Sequence, residues 1–69
     1  MSDHVYKHID VTGSSTTSSD DAVRRAVSKA SESIRGMSWF KVLETRGHVE
    51  NNAIKYWQVT VQIGFVIED

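Results

Sequence analysis

The part of the chain that most constrains its fold is residues 54–67, where apolar and polar side chains alternate. One set of alternate positions is apolar: Trp57, Val59, Val61, Ile63, Phe65 and Ile67. The other set is polar or small: Tyr56, Gln58, Thr60, Gln62 and Gly64. A repeat of two residues is typical of a β-strand with one buried face. We therefore expect a long strand over about 54–67, which needs neighbouring strands at its edges and another element over its apolar face.

A helical pattern precedes this strand. Its apolar side chains are mostly small: Val23, Ala26, Val27, Ala30 and Ile34. Ser18 followed three residues later by Asp21 resembles a capping box, and acidic residues favour the positive end of the helix dipole. Arg35 favours the opposite end, and Gly36 is a natural residue just beyond a helix. The pattern predicts a helix over about 19–35 that packs flat against a sheet.

Two shorter alternating segments predict the remaining strands. The first gives a strand over about 4–11, and the hydroxyl-rich segment 12–19 after it is expected to be a loop. The second gives a strand over about 38–48. Its two faces carry different side chains: Phe40 and Val42 on one, and Trp39, Leu43 and Thr45 on the other.

The last two predicted strands are joined by residues 47–53, which contain Asn51 and Asn52. Asparagine tolerates turn geometry, so we expect a hairpin there. The predicted fold class is α+β, in the order β-α-β-β. A three-stranded antiparallel sheet wrapped around one helix, forming a single domain over 1–69, is the simplest architecture.

The chain has 69 residues and no cysteine. Chains below ~80 residues usually need disulfides, a metal or oligomerisation to supplement a small core. The absence of cysteine excludes disulfides and thiolate metal sites. Self-association is therefore the expected source of additional stability.

Charge and hydropathy argue against two classes of partner. The net charge is −1 and the isoelectric point is near 6.3, so a general affinity for nucleic acid or anionic lipid is not expected. The longest apolar stretch, 63–67, is too short to span a bilayer, and the first ten residues lack the apolar run of a secretory signal. We expect a cytoplasmic protein with no membrane partner.

Neither a metal site nor a catalytic centre is predicted. His4 and His8 are four positions apart on a predicted strand, about 13 Å at ~3.3 Å per residue, and His48 lies beside the predicted turn. No serine lies in the strand-turn-helix setting of a hydrolase nucleophile. The segment around Gly13 lacks the glycine-lysine pair of a phosphate-binding loop. We therefore predict a protein that is not an enzyme.

Three polar or aromatic residues suggest a binding site for a planar ring. The indole of Trp39 offers a flat π surface for stacking, worth roughly 1–3 kcal/mol per ring by analogy with bases. The amide of Gln58 can read an edge where a ring N–H lies beside a carbonyl, and Arg46 can hold a phosphate or a carbonyl. A flavin, a pterin and a nucleotide all fit this combination. The simpler interpretation is that Trp39 packs in an interface and Gln58 is solvated.

The hairpin register decides whether one chain could form this site. If paired residues have numbers that sum to 101, Trp39 lies opposite Gln62 and Gln58 lies opposite Leu43. Trp39 and Gln58 are then about 13 Å apart along the strands. A site that uses both Trp39 and Gln58 could then be formed by several copies of the chain but not by one.

Four segments of the chain resemble the dodecin family. They occur in the family's order and cover nearly the whole length: VYKHIDVTGSSTTS at 5–18, DDAVRRAVSKA at 20–30, SWFKVLETRG at 38–47 and YWQVTVQIGF at 56–65. The resemblance implies a β-α-β-β protein whose sheet curls around the helix. It also implies a hollow homododecamer that binds flavins.

The resemblance also assigns roles to individual residues. It implies that isoalloxazine rings stack between copies of Trp39, and that Gln58 hydrogen-bonds the pyrimidine-like edge of the flavin. Arg46 matches an arginine of the bacterial branch, which implies FMN as the preferred flavin, with riboflavin or FAD as other candidates. Ser38 occupies a position that contacts the ligand in relatives.

Coenzyme A is a second ligand that the resemblance implies. The matching surface would involve Tyr6, Lys7, Lys29 and Arg35. Bacterial members can carry an arginine where this chain has Val66, and contacts that depend on that arginine would be missing here.

The function we expect is storage or sequestration of flavin, with its excited state quenched by electron transfer from Trp39. The alternative is a carrier of coenzyme A or a nucleotide in which flavin binding is incidental. A flavoenzyme is a third hypothesis, which the lack of an evident acid or base near Trp39 disfavours.

Overall fold

The computed structural model describes residues 3–67 and contains the four expected elements in the expected order. They are strand β1 (Tyr6–Ser15), helix α1 (Ser19–Ala30), strand β2 (Met37–Glu50) and strand β3 (Ala53–Val66). All strand pairs are antiparallel, and β3 lies between β1 and β2. The predicted α+β fold, with one helix and a three-stranded antiparallel sheet, is confirmed.

The core lies where α1 packs on the sheet. Small side chains of the helix meet branched side chains of β3, and six of them are buried: Ala22, Ala26, Ala30, Val59, Val61 and Ile63. The helix lies close to β1 at Gly13, where a Cβ would overlap the carbonyl oxygen of Ala22. The same Cβ would lie 3.0 Å from the Cβ of Ala26. The small residues therefore set the distance between helix and sheet.

Replacing Gly13 with alanine should destabilise the fold, because the methyl group would push α1 away from β1. Overpacking of this kind costs about 1–3 kcal/mol. Urea denaturation followed by far-UV circular dichroism measures the change. The matched control is Ser14→Ala, which changes an exposed side chain at the next position of β1. It should change the free energy of unfolding by less than about 0.5 kcal/mol.

Strand β1 continues to Ser15, four residues beyond its predicted end, through the segment expected to be a loop. The hydroxyl groups there bond within the protein. The Oγ1 atoms of Thr12 and Thr60 are 2.8 Å apart across the strand pair. The Ser15 hydroxyl donates to Asp21 at 2.6 Å and accepts from the backbone N–H of Thr17 at 2.9 Å. These bonds join β1 to β3 and to the start of α1.

Helix α1 begins as predicted and ends at Ala30, five residues before its predicted end. At its start, the Ser18 hydroxyl accepts a hydrogen bond from the backbone N–H of Asp21 at 3.0 Å. At its end, the N–H of Ser33 donates to the carbonyl of Ala30, a three-residue spacing that tightens the last turn. The two serines around Glu32 favour such a turn because they are poorer helix formers than alanine. Residues 31–36 then lead to β2.

The pKa of Asp21 lies below its ordinary value of 3.8, mainly because the Ser15 hydroxyl donates to the carboxylate and secondly because Arg25 does. A carboxyl group with a lowered pKa in the folded state contributes stability above its unfolded pKa. That contribution is lost as the pH falls through the folded pKa. We expect the melting temperature to drop below about pH 4, and Asp21→Asn to flatten the drop. Asp20→Asn, in the same helical turn, is the control and should keep it.

Three bulges interrupt the pairing of β2 with β3, and the turn at 51–52 lies later than the predicted register assumed. The unpaired residues are Ser38 and Leu43 on β2 and Lys55 on β3. Pairing from this turn gives residue numbers that sum to 103, and the bulges at Lys55 and Leu43 offset each other, so Trp39 lies opposite Gly64, not Gln62. Thr45 lies opposite Val59 on the apolar side. The prediction that Thr45 shares the face of Trp39 is therefore wrong. The predicted register rests on an earlier turn and an uninterrupted ladder, and sequence alternation alone locates neither the turn nor the bulges.

Helix α1 packs on β1 and β3 and leaves most of β2 uncovered. Phe40 and Val42 lie opposite the buried residues Ile63 and Val61, yet they are 53% and 44% exposed. The tight hairpin that ends β2 turns at Asn51 and the next asparagine, both with positive φ, as predicted from asparagine's tolerance of this geometry. The chain thus presents an apolar strip on its outermost strand.

Candidate functional site

The candidate site residues lie on the face of the sheet that points away from α1, which we call the outer face. On β3, alternate residues between the buried ones point this way: Gln58, Thr60, Gln62 and Gly64. Their partners on β2 are Arg46, Glu44, Lys41 and Trp39, in that order. Trp39, Arg46 and Gln58 therefore share one face. Trp39 and Arg46 do so because the bulge at Leu43 shifts the alternation by one residue.

Trp39 lies at one end of the outer face, across Gly64. A Cβ at Gly64 would overlap Cε2 and Cζ2 of the indole, so the ring occupies the space of the missing side chain. The ring of Tyr6 meets the indole edge-on, with centroids 6.3 Å apart and an angle of 62°. The indole is nevertheless 38% exposed. It can present part of its π surface to a ligand.

A groove of about 240 Å³ runs beside Trp39. Its other walls are mostly apolar: Val27, Met37, Ser38, Phe40 and Ile63. Ser38 is the bulged residue, and its hydroxyl donates to the carbonyl of Gly36 at 3.3 Å. The groove can accept an apolar group next to the indole.

Gln58 and Arg46 form the second part of the candidate site. They lie directly opposite each other, and Nε of Arg46 donates to Oε1 of Gln58 at 3.2 Å. The same guanidinium pairs with the carboxylate of Glu44 at 2.8 Å. With its oxygen engaged by Arg46, Gln58 can offer its amide N–H groups to an acceptor. The register assumed from sequence placed Gln58 opposite Leu43 and missed this contact.

Gln58 also lines a groove of about 460 Å³ at this end of the sheet. The other lining residues are rich in hydroxyl groups: Ser14, Ser15, Thr16, Arg25 and Tyr56. The Tyr56 ring stacks on His48, with centroids 5.2 Å apart and an angle of 12°. The surroundings of Gln58 are thus polar, in contrast to the apolar groove beside Trp39.

Trp39 and Gln58 are too far apart to bind one ring within a single chain. Trp39 lies opposite Gly64, which is six positions along β3 from Gln58. At ~3.3 Å per residue the separation is about 20 Å, more than the 13 Å expected from the assumed register. Arg46 accompanies Gln58 and not Trp39. A ligand that touches both groups needs them from different copies of the chain.

The four residues assigned to coenzyme A do not line one groove of the single chain. Arg35 and Ser38 line a groove of about 530 Å³ that also includes His4, Gly36, Met37 and Val66. Lys29 lines a separate surface on the helix and pairs with Glu32 at 3.3 Å. Tyr6 contacts Trp39, and Lys7 is its neighbour on β1.

Two residues that touch the candidate site were not singled out from the sequence. Gly64 underlies Trp39, and a glycine inside a strand does signal the close approach of another group. Glu44 balances the charge of Arg46, and no sequence signal distinguishes it from an ordinary exposed glutamate.

Within residues 3–67, no three histidine, aspartate or glutamate side chains are grouped so that they could hold a metal ion. In the same part of the chain, the helix lacks the length and the apolar character needed to cross a membrane.

Comparison with known proteins relates the whole fold to one family. The model of the Dodecin family matches residues 5–68. The chain belongs to the dodecin family. It is 32% identical over 65 residues to the dodecin of Thermus thermophilus, with 94% of each chain covered.

Solved dodecin structures agree with this assignment. The dodecin from Streptomyces coelicolor is 40% identical, with a TM-score of 0.92 over 100% of this chain and 99% of that one. The dodecin from Streptomyces davaonensis is 35% identical, with a TM-score of 0.91 over 99% of this chain and 100% of that one. The family predicted from the four segments is confirmed, and with it a role in binding a small ligand.

Proposed function

We propose that this protein stores or sequesters a flavin and quenches its excited state by stacking it on Trp39. The observation that carries the proposal is the indole itself, which stays 38% exposed although Gly64 and Tyr6 hold it in place. An exposed and supported indole is suited to stacking with a planar ring. When bound, a flavin supplies an excited state that accepts an electron from the indole.

Gln58 and Arg46 supply the polar contacts of the proposed site. The amide of Gln58 can bond to the edge of the ring system that carries N–H and carbonyl groups. Arg46 adds a positive charge beside it, which favours FMN, the phosphorylated flavin, over riboflavin. FAD is also compatible. Ser38 adds backbone contacts next to Trp39, at the bulge.

The site is proposed to form only in an assembly of copies, a hollow homododecamer as in the family resemblance. About 20 Å separates Trp39 from Gln58 within one chain. The apolar strip of Phe40 and Val42 on β2 is left open by the helix and gives the copies a surface to bury. Strand β2 also has an unpaired edge along its length.

We propose binding without catalytic turnover, in the cytoplasm. The side chains that line the groove beside Trp39 are apolar apart from a serine hydroxyl that donates to backbone, and the ring that meets the indole edge-on is a phenol. None of these is poised to act as a general acid or base near neutral pH.

A carrier of coenzyme A or a nucleotide is the second candidate. It is favoured by the groove that joins Arg35 to His4 and Ser38, because cationic and hydroxyl groups bind phosphate. Val66 lies in this groove where an arginine of relatives would stand, so the groove has one cation fewer.

Titration of the purified protein with riboflavin, FMN, FAD and coenzyme A separates these candidates. Flavin fluorescence should fall on binding, with FMN bound at least as tightly as riboflavin. A carrier of coenzyme A would instead bind coenzyme A tightly and leave flavin fluorescence unchanged. A flavoenzyme would reoxidise reduced flavin faster when its substrate is added.

Gln58→Ala should weaken FMN binding by about 1–3 kcal/mol, because a desolvated hydrogen bond to the ring would be lost. Fluorescence titration measures the change in Kd. Gln62→Ala, two outer-face positions closer to Trp39, is the matched control and should leave the affinity within twofold. Equal affinities for the Gln58 variant and the unaltered protein would remove Gln58 from the site.

A further inference from the structure

The space above Gly64 is filled by another residue's side chain. A Cβ built on Gly64 would overlap Cε2 and Cζ2 of Trp39 and lie 2.6 Å from Nε1. Nonbonded carbon atoms approach to about 3.5–4.0 Å, so the overlap exceeds any small adjustment. The indole can stand where it does only because residue 64 has no side chain.

Backbone conformation does not explain the glycine. Among residues 3–67, the only glycine with positive φ is Gly36. Gly64 lies inside β3, paired with His8 on one side and Trp39 on the other, where other residues are accommodated without strain. A glycine in a strand interior weakens the strand, so its presence here calls for another reason.

Tyr6 limits the indole from a second direction. It lies on β1, opposite Val66, and its ring meets the indole edge-on at 6.3 Å. The indole is therefore placed between the backbone of β3 and the phenol ring of β1. Neither contact covers it completely, since it remains 38% exposed.

We propose that Gly64 is a positioning residue for Trp39. Because Gly64 has no side chain, the indole can lie against β3, and this contact fixes which part of the π surface faces outward. The placement of the indole follows from this structure alone. Its consequence for a stacked ligand rests on the proposed function.

Gly64→Ala tests the placement. The added methyl group should push the indole away from β3 and towards solvent. In the ligand-free protein, the near-UV circular dichroism of tryptophan should decrease, and the emission maximum should shift to the red. In the titration with FMN, the affinity should fall by about tenfold or more, because stacking depends on the ring's position. Both spectra are recorded in a Trp57→Phe background, in which Trp39 is the remaining tryptophan. In that background Gly47→Ala, at another glycine within a strand, should leave both signals unchanged.

A double-mutant cycle separates a steric effect on Trp39 from a general weakening of the strand. Gly64→Ala alone should lower the melting temperature, because the methyl group overlaps the indole. In a Trp39→Ala background the methyl group meets no indole, and Gly64→Ala should leave the melting temperature unchanged. If Gly64→Ala alone fails to fold, the double variant should restore folding. Equal decreases in melting temperature in both backgrounds would overturn the proposal. Unchanged tryptophan spectra in a folded Gly64→Ala protein would also overturn it.

The two proposals can fail separately. If Trp39→Ala leaves FMN binding and quenching unchanged, the proposed function is wrong, whereas the spectra of the ligand-free protein still decide the role of Gly64. If Trp39→Ala abolishes quenching but Gly64→Ala changes neither spectra nor affinity, only the positioning role is wrong.

Discussion

Trp39→Ala is expected to restore the fluorescence of added FMN nearly to that of the free flavin. The indole is the electron donor in the proposed quenching, and alanine cannot replace it. Loss of stacking, worth roughly 1–3 kcal/mol per ring, should also weaken binding by about 5-fold to 150-fold. Steady-state fluorescence during titration, together with equilibrium dialysis, measures both effects.

The matched control for this experiment is Trp57→Phe. Trp57 lies on β3 opposite Gly47, on the apolar side of the sheet, and each variant keeps one of the two tryptophans. Phenylalanine preserves an aromatic ring at that position, so quenching of bound FMN should persist. If quenching survives Trp39→Ala and disappears with Trp57→Phe, the electron donor is Trp57 and the proposed role of Trp39 is wrong.

Phe40→Asp is expected to dissociate the assembly while the single chain stays folded. The side chain is 53% exposed in one copy, so an acidic group there remains hydrated in the monomer. In an assembly it would be buried, and each copy would also lose roughly 1.5–3 kcal/mol of apolar burial. Sedimentation velocity should show a large decrease in mass, and the far-UV circular dichroism should retain the helix signal.

Phe40→Leu is the control for the assembly experiment, since it keeps an apolar side chain at the same position. It should remain assembled. An unchanged mass for Phe40→Asp would show that the strip of Phe40 and Val42 is not an interface. Loss of the helix signal would show that the residue supports the single chain instead.

The sequence was sufficient to predict the elements because their patterns are local. The alternation along β3, the Ser18 cap and the Asn51-Asn52 turn each depend on neighbouring residues, and all three are present. The end of α1 was misplaced because Ile34 continues the helical spacing although the chain has already left the helix. The spacing shows only that the Ile34 side chain faces the core, and a residue in a turn can do so as well as a residue in a helix.

The arrangement of the candidate site needed the structure. The position of the turn and the bulges at Lys55 and Leu43 decide which residues of β2 and β3 are partners. The bulge at Lys55 brings Arg46 opposite Gln58, and the bulge at Leu43 restores the earlier offset, so that Trp39 lies opposite Gly64. The register assumed from the sequence gives neither pair. The hydroxyl-rich segment 12–19 is predicted to be a loop, although its first residues belong to β1. The hydrogen bond between Thr12 and Thr60 joins residues far apart in sequence, and the bond from Ser15 to Asp21 joins two different elements. Such contacts leave no periodic signal.

Native mass spectrometry with FMN tests the central claim, that the ligand site is built from several copies of the chain. The protein should appear as one species of twelve 7.8 kDa chains with flavin bound, and dissociation into single chains should release the flavin. A folded single chain that binds FMN and quenches its fluorescence would contradict the claim.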